Sequence, residues 1–68
     1  MDGVTLEVGD KVCTLVDVQH GNSSFPKGSI GTIWYIDFYG MHHVDFQRLL
    51  KGRLASNFYS ADQLRKVM

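Results

Sequence analysis

The chain has 68 residues, and its seven Lys plus Arg residues balance its seven Asp plus Glu residues, so the formal net charge is zero. This length fits one domain, residues 1–68, and a chain so short buries only about 60% of the surface that its unfolded form exposes. The single cysteine, Cys13, excludes a disulfide framework. The sequence has no apolar run of the ~20 residues that span a membrane and no signal-peptide pattern, so we expect a soluble, cytoplasmic protein without a membrane partner.

The charges are balanced in number but not in position. Residues 1–46 contain two Lys or Arg residues and six Asp or Glu residues, whereas residues 47–68 contain five and one. Such asymmetry is typical of a basic binding face, although interleaved strands would mix the two sets on the surface of a small barrel. The isoelectric point of about 6.8 lies below the value of ~9 that is typical of basic nucleic-acid binders.

Glycines divide the first half of the chain into pieces too short for a helical stripe, which favours an all-β fold. We interpret residues 1–8 as an N-terminal extension, followed by a Gly-Asp turn and a strand over residues 11–18 with apolar residues on both faces. Residues 19–28 are rich in turn residues and contain the only proline. They are therefore predicted to form a long exposed loop, with Phe25 folded back over one end of the core.

The second half of the chain is dense in strand-forming residues. Residues 29–38 are dense in β-branched and aromatic residues, which predicts a strand. Gly31 within this segment indicates a bulge or a close backbone approach. Residues 39–41 predict a hairpin turn, and residues 42–48 a strand with Val44 and Phe46 on one face. Three further elements complete the prediction: a strand over 54–59, a single helical turn with a Ser-x-x-Gln capping pattern at 60–64, and a final strand over 65–67.

Several short motifs follow one another in a recognisable order. They are Gly9-Asp10-Lys11-Val12, then Gly28-Ser29-Ile30-Gly31-Thr32-Ile33, then Val44-Asp45-Phe46, then Tyr59 with Leu64 and Val67 at fixed spacing. This order resembles the SH3-like small β-barrels, among them the KOW domains and the PsaE-type subunit of photosystem I. The resemblance implies a single five-stranded SH3-like barrel with one short 3₁₀ turn before the last strand. Barrels of this kind bind RNA, proteins, peptides or redox partners, so the function has to be argued from the site.

The sequence offers no pattern for metal, cofactor or catalytic chemistry. The soft ligands Cys13, His20, His42 and His43 have no chelating spacing, and adjacent histidines on a strand point to opposite faces. The carboxylates are scattered, and no phosphate-binding fingerprint is present. We therefore expect no cofactor, no metal and no enzymatic activity. A distant alternative is an oligomeric barrel enzyme similar to type II dihydrofolate reductase, although its Val-Gln-Ile-Tyr quartet is not matched by residues 44–47.

Aromatic residues are more numerous than so small a core requires. The eight are Phe25, Trp34, Tyr35, Phe38, Tyr39, Phe46, Phe58 and Tyr59. If Phe46, Phe58 and one face of residues 29–38 fill the core, then some of the aromatic residues between 34 and 39 lie outside it. Exposed Trp and Tyr are typical of binding surfaces, although neighbouring segments can also cover them.

Two functions fit these features. The first is an interaction module, regulatory or an accessory of a phage or mobile element, which binds a protein partner or a second copy of itself. Its predicted docking residues are Trp34, Tyr35, Tyr39, Phe25 and His20. The alternative is a KOW-like nucleic-acid-binding module that uses the basic C-terminal third. Its predicted contacts are Arg48, Lys51, Arg53, Arg65 and Lys66. Zero net charge favours the first, because neutral chains associate readily.

Overall fold

The computed structural model describes residues 5–20, 23–50 and 53–67, and for residues 20, 23, 47–50, 53 and 54 it describes the backbone alone. These residues form an all-β fold, as the sequence predicts, with one 3₁₀ turn at Ala61–Gln63 as its helical element. The strands are β1 (Lys11–Thr14), β2 (Val18–His20), β3 (Ser23–Phe25), β4 (Ile30–Ile36), β5 (His42–Leu50), β6 (Arg53–Tyr59) and β7 (Leu64–Lys66). In this part of the chain no helix is long and apolar enough to cross a membrane.

The seven strands form two antiparallel sheets. The larger sheet has the order β6-β5-β4-β1-β7, and β2 pairs with β3 in a separate hairpin. Each of the five predicted strand segments has a counterpart in the larger sheet, in the same order along the chain. The β2–β3 hairpin was not predicted. Within the described residues the two sheets are not closed into a barrel.

The predicted strand over residues 11–18 is wrong as a single element. It ends at Thr14, and the chain bends before β2 begins in the other sheet. The backbone N–H of Leu15 donates to the carbonyl of Gln63 in the 3₁₀ turn at 2.8 Å, and the chain bends at Leu15 and Val16 instead of continuing along β4.

The predicted exposed loop over residues 19–28 contains the β2–β3 hairpin, so it is only partly a loop. Phe25 is 4% exposed, and its ring centroid lies 5.4 Å from that of Phe46. Phe25 therefore covers the core, as predicted, and its prediction as a docking residue is wrong. Burial of a phenylalanine ring stabilises a fold by about 2–3 kcal/mol, which favours this inward position over exposure to a partner.

The core lies between the larger sheet and the hairpin. Its buried apolar residues are Val12, Phe25, Ile33, Val44, Phe46, Ala55, Tyr59 and Leu64. Phe58 does not belong to this set, contrary to the prediction, because β6 turns Ala55 and Tyr59 inward and strand alternation places Phe58 on the opposite face. The capping pattern at the 3₁₀ turn is present, since the N–H of Ser60 donates to Oε1 of Gln63 at 3.1 Å.

Candidate functional site

A bulge in β4 turns two consecutive aromatic side chains to the same face of the sheet. Ile33 pairs with Val44 and Tyr35 pairs with His43, so Trp34 is an extra residue without a counterpart on β5. Such a bulge interrupts the alternation of a strand and re-aims its side chains. Trp34 and Tyr35 are accordingly 55% and 48% exposed, so both are among the aromatic residues that lie outside the core.

The exposed aromatic residues of three neighbouring strands form one continuous group. Tyr35 pairs with His43 on β5, and His43 pairs with Phe58 on β6. The ring centroid of His43 lies 5.2 Å from that of Tyr35 and 5.5 Å from that of Phe58. The ring centroid of Trp34 lies 5.8 Å from that of His43, in an edge-on arrangement. We call Trp34, Tyr35, His43 and Phe58 the aromatic row. It crosses β4, β5 and β6 on the face opposite the core.

A carboxylate holds the central ring of the aromatic row in place. Oδ2 of Asp37 lies 2.9 Å from Nε2 of His43, while its Oδ1 accepts the backbone N–H groups of Tyr39 and Met41. The predicted hairpin turn at residues 39–41 is thus confirmed and is tied to the row by one side chain. The hydrogen bond from His43, followed by the bonds from Met41 and Tyr39, holds the pKa of Asp37 below its ordinary value.

The tip of the β4–β5 hairpin carries a second exposed pair. Phe38 and Tyr39 are both almost fully exposed, and their ring centroids lie 5.9 Å apart in an edge-on arrangement. Tyr39 is therefore exposed, as expected of a docking residue, but its ring contact is with Phe38. The predicted patch of Trp34, Tyr35 and Tyr39 is accordingly divided between the aromatic row and this hairpin tip.

Carboxylates are the charged groups closest to the aromatic row among the described side chains. Asp37 contacts His43, and Asp45 lies two residues beyond His43 on the same face of β5. Oδ1 of Asp45 is buried and has no hydrogen-bond partner among the described groups. The cation Lys11 lies on β1 opposite Thr32, so β4 separates it from Asp45. Among the described side chains, the charge nearest to the row is therefore negative.

The predicted basic residues are not gathered beside the aromatic row where the structure describes them. Arg65 and Lys66 lie on β7, which β1 and β4 separate from β5. Nζ of Lys66 lies 3.6 Å from Oδ1 of Asp10, in a half-exposed ion pair. The side chains of Arg48 and Arg53 and the whole of Lys51 lie outside the described residues.

The three histidines differ in their placement. The side chain of His20 also lies outside the described residues. His42 is buried and His43 is on the outer face, so the prediction that they point to opposite faces is confirmed. Among the described residues, no three His, Cys, Asp or Glu side chains are grouped as metal ligands.

Two members of the aromatic row were not among the predicted docking residues. His43 was expected to face away from Val44, and this alternation was the available signal for its exposure. Phe58 was assigned to the core, because no single-strand pattern gives the register that sets it opposite His43. Both residues join the site through strand pairing.

We predict that Asp37 makes part of the stability depend on pH. Because the pKa of Asp37 is lower in the folded chain than in the unfolded chain, its contribution is complete above the unfolded pKa, near 4, and is lost as the pH falls through the folded pKa. Wild-type protein should therefore lose more stability between about pH 5 and pH 3 than Asp37→Asn, whose amide oxygen can still accept from the turn. Urea unfolding at each pH measures this, and parallel profiles would contradict it.

No protein-family model matches the chain, and comparison with curated proteins and with solved structures gives no match.

Proposed function

We propose that the chain is a non-catalytic, SH3-like interaction module that binds a protein partner through the aromatic row. The observation that carries this proposal is the continuous group of four rings across three neighbouring strands, on the face opposite the core. Exposed Trp and Tyr give a large contact area with little loss of side-chain entropy, and they are enriched at protein interfaces. The bulge at Trp34 adds a second ring to this face where regular alternation would allow one.

The order of the strands supports the SH3-like part of the proposal. β4, β5 and β6 follow one another as a meander, while β1 lies between β4 and the last strand. The β2–β3 hairpin covers the core through the ring contact of Phe25 with Phe46.

The amount of exposed aromatic surface supports a macromolecular partner. The five exposed aromatic side chains present roughly 700 Å² in total, if each ring residue has about 200 Å² of surface. The largest apolar patch of a typical monomer is about 300–600 Å², and a standard protein interface buries about 800 Å² on each partner. A partner that covers both the aromatic row and the hairpin tip, which Asp37 joins, would bury an area close to the second figure, so we favour a partner of protein size over a small molecule.

Nucleic-acid binding is less well supported. Bases stack on exposed aromatic rings, but such sites combine the rings with cations that contact the phosphates. The described charges beside the aromatic row are the carboxylates of Asp37 and Asp45. Lys66 lies on β7, at the opposite edge of the sheet from β6, where it is paired with Asp10. Negative charge next to the rings repels a phosphate backbone.

We predict that Trp34→Ala weakens partner binding and leaves the fold intact. Because Trp34 is more than half exposed, its truncation should change the free energy of unfolding by about 1 kcal/mol or less. As an anchor of the interface it should contribute about 2 kcal/mol or more to binding, which is a loss of about 30-fold in affinity. Immobilised wild-type and variant chains, used to capture proteins from the source cells with quantification by mass spectrometry, measure the difference.

A matched control distinguishes this surface from a general loss of exposed apolar area. Ile30 is similarly exposed on β4 but lies outside the aromatic row, so Ile30→Ala should retain the captured partner. Equal capture by Trp34→Ala and wild-type chain would show that the row is not the docking surface. Unfolding of Trp34→Ala would contradict its assignment as an exposed residue. Binding to single-stranded DNA that weakens steeply with salt would instead support the nucleic-acid alternative.

A further inference from the structure

We propose that the partner presents an arginine side chain to the aromatic row, where the guanidinium stacks on the exposed rings and is neutralised by the neighbouring carboxylates. The inference rests on the proposed function, since it names the chemistry that the same surface recognises. It follows from two observations that are independent of each other. One is the arrangement of the rings, and the other is the sign of the charge beside them.

The rings offer flat faces to a planar cation. Trp34 and Tyr35 are adjacent, with centroids 5.8 Å apart and ring planes inclined by 31°, so the two faces form a shallow surface instead of opposing each other. A guanidinium group is planar and weakly hydrated, and it stacks on tryptophan and tyrosine more readily than an ammonium group does. The hydrocarbon stem of arginine also packs against exposed rings such as Phe58.

The carboxylates supply the complementary charge. Asp45 lies on the outer face of β5, between Thr32 of β4 and Ser56 of β6, one ladder position beyond the ring of His43. Its Oδ1 has no hydrogen-bond partner among the described groups. Asp37 is already bonded to His43 and to the hairpin turn, so its charge contributes to the field while its oxygens stay engaged. Asp45 is half-buried with its Oδ1 shielded from solvent, so it adds negative charge beside the rings without offering that oxygen to the partner.

A second copy of the chain fits this surface less well. In a two-fold symmetric dimer that pairs the row with itself, the same patch lies on both sides, so the carboxylates of Asp37 and Asp45 in one copy are brought into the same interface as those of the other. Like charges brought together in an interface are unfavourable. The same negative charge attracts a cationic partner, so we favour an arginine-bearing partner over a second copy of the chain.

The test uses three peptides that differ at one kind of residue. Each peptide has about ten residues. The first contains three arginines separated by serine and glycine, and the other two carry citrulline or lysine at the three arginine positions. Citrulline has nearly the shape of arginine without its charge, and lysine keeps the charge without the planar group. Each peptide is titrated to about 5 mM, in about 50 mM NaCl, into ¹⁵N-labelled protein, with the indole and amide signals of the row followed by NMR.

We expect the arginine peptide to shift the signals of Trp34, Tyr35 and His43 and to bind at least about fivefold more tightly than either of the other peptides. Asp45→Asn should reduce the preference for arginine over citrulline to less than about twofold, while Ser56→Ala, at the position on β6 that pairs with Asp45, removes no charge and should leave it unchanged. Equal binding of the arginine and citrulline peptides, binding outside the row, or no binding at all would overturn the inference.

The failure of this inference is distinguishable from the failure of the proposed function. If the peptides do not discriminate but Trp34→Ala still loses a captured protein, the row is a docking surface with a different preference. If sedimentation shows a wild-type dimer that Trp34→Ala dissociates, the occupant is a second copy, and the arginine inference is wrong. If Trp34→Ala changes neither capture nor association, the proposed function itself fails.

Discussion

Val44→Asp should unfold the protein. Val44 is completely buried on the inner face of β5, in contact distance of the strand β4 backbone at Gly31. Among the described side chains no lysine or arginine belongs to the buried core, and an unpaired buried charge costs about 4 kcal/mol or more. A chain of this size has a total stability of only about 3–10 kcal/mol. Far-ultraviolet circular dichroism and the dispersion of amide proton signals should therefore report an unfolded or only partly folded chain.

Two further variants separate the effect of charge from the effect of lost volume. Val44→Ala removes two methyl groups without adding charge, so it should destabilise the fold by about 2 kcal/mol and leave it cooperative. Ile30→Asp places the same carboxylate on the outer face of β4, where Ile30 is about half exposed, and should cost about 1 kcal/mol or less. A folded Val44→Asp chain with wild-type thermal stability would show that Val44 does not lie in the core.

The larger sheet could be predicted from the sequence because its strands carry their own signals. Alternation of apolar and polar residues in β5 shows which face is buried, and Val44 and Phe46 lie there as predicted. The end of β1 could not be predicted in this way. The residues around the bend bond to groups that are distant in the sequence, such as the Gln63 carbonyl that accepts from the Leu15 N–H almost fifty residues away, and no local pattern encodes such partners. The apolar residues after Thr14 therefore indicated a continuous strand where the chain bends.

The candidate site shows the same division between local and long-range information. The excess of aromatic residues over the capacity of a small core predicted that some of those between residues 34 and 39 lie outside it, without deciding which. The continuity of the aromatic row was not predicted, because it requires the register of three strands and a bulge at Trp34. A shift of one residue in register would turn Phe58 to the inner face, as the core assignment assumed. The aromatic row therefore depends on how the three strands pair more than on the number of aromatic residues in the sequence.

Gly31→Ala should destabilise the protein by about 2–4 kcal/mol, because β4 and β5 leave no space for a side chain at this position. A Cβ atom at Gly31 would lie 2.5 Å from Cγ1 of Val44, 2.7 Å from the carbonyl oxygen of Asp45 and 2.9 Å from a ring carbon of Phe46. Two of these atoms belong to core side chains and one to the backbone of the paired strand. Relief of the contacts therefore requires β4 and β5 to separate, and urea unfolding should report the loss.

A comparison with Gly40→Ala shows that the cause is space and not backbone conformation. Gly40 has a φ of +81°, yet a Cβ atom there meets nothing within 4 Å, so alanine should cost only about 1 kcal/mol. In a Val44→Ala background the nearest contact of Gly31→Ala is removed, while the contact with the Asp45 carbonyl remains. The cost of Gly31→Ala should then fall by about 1 kcal/mol without disappearing. Equal costs in the two backgrounds would mean that the backbone contact alone determines the effect, and a cost below that of Gly40→Ala would contradict the close approach of β4 and β5.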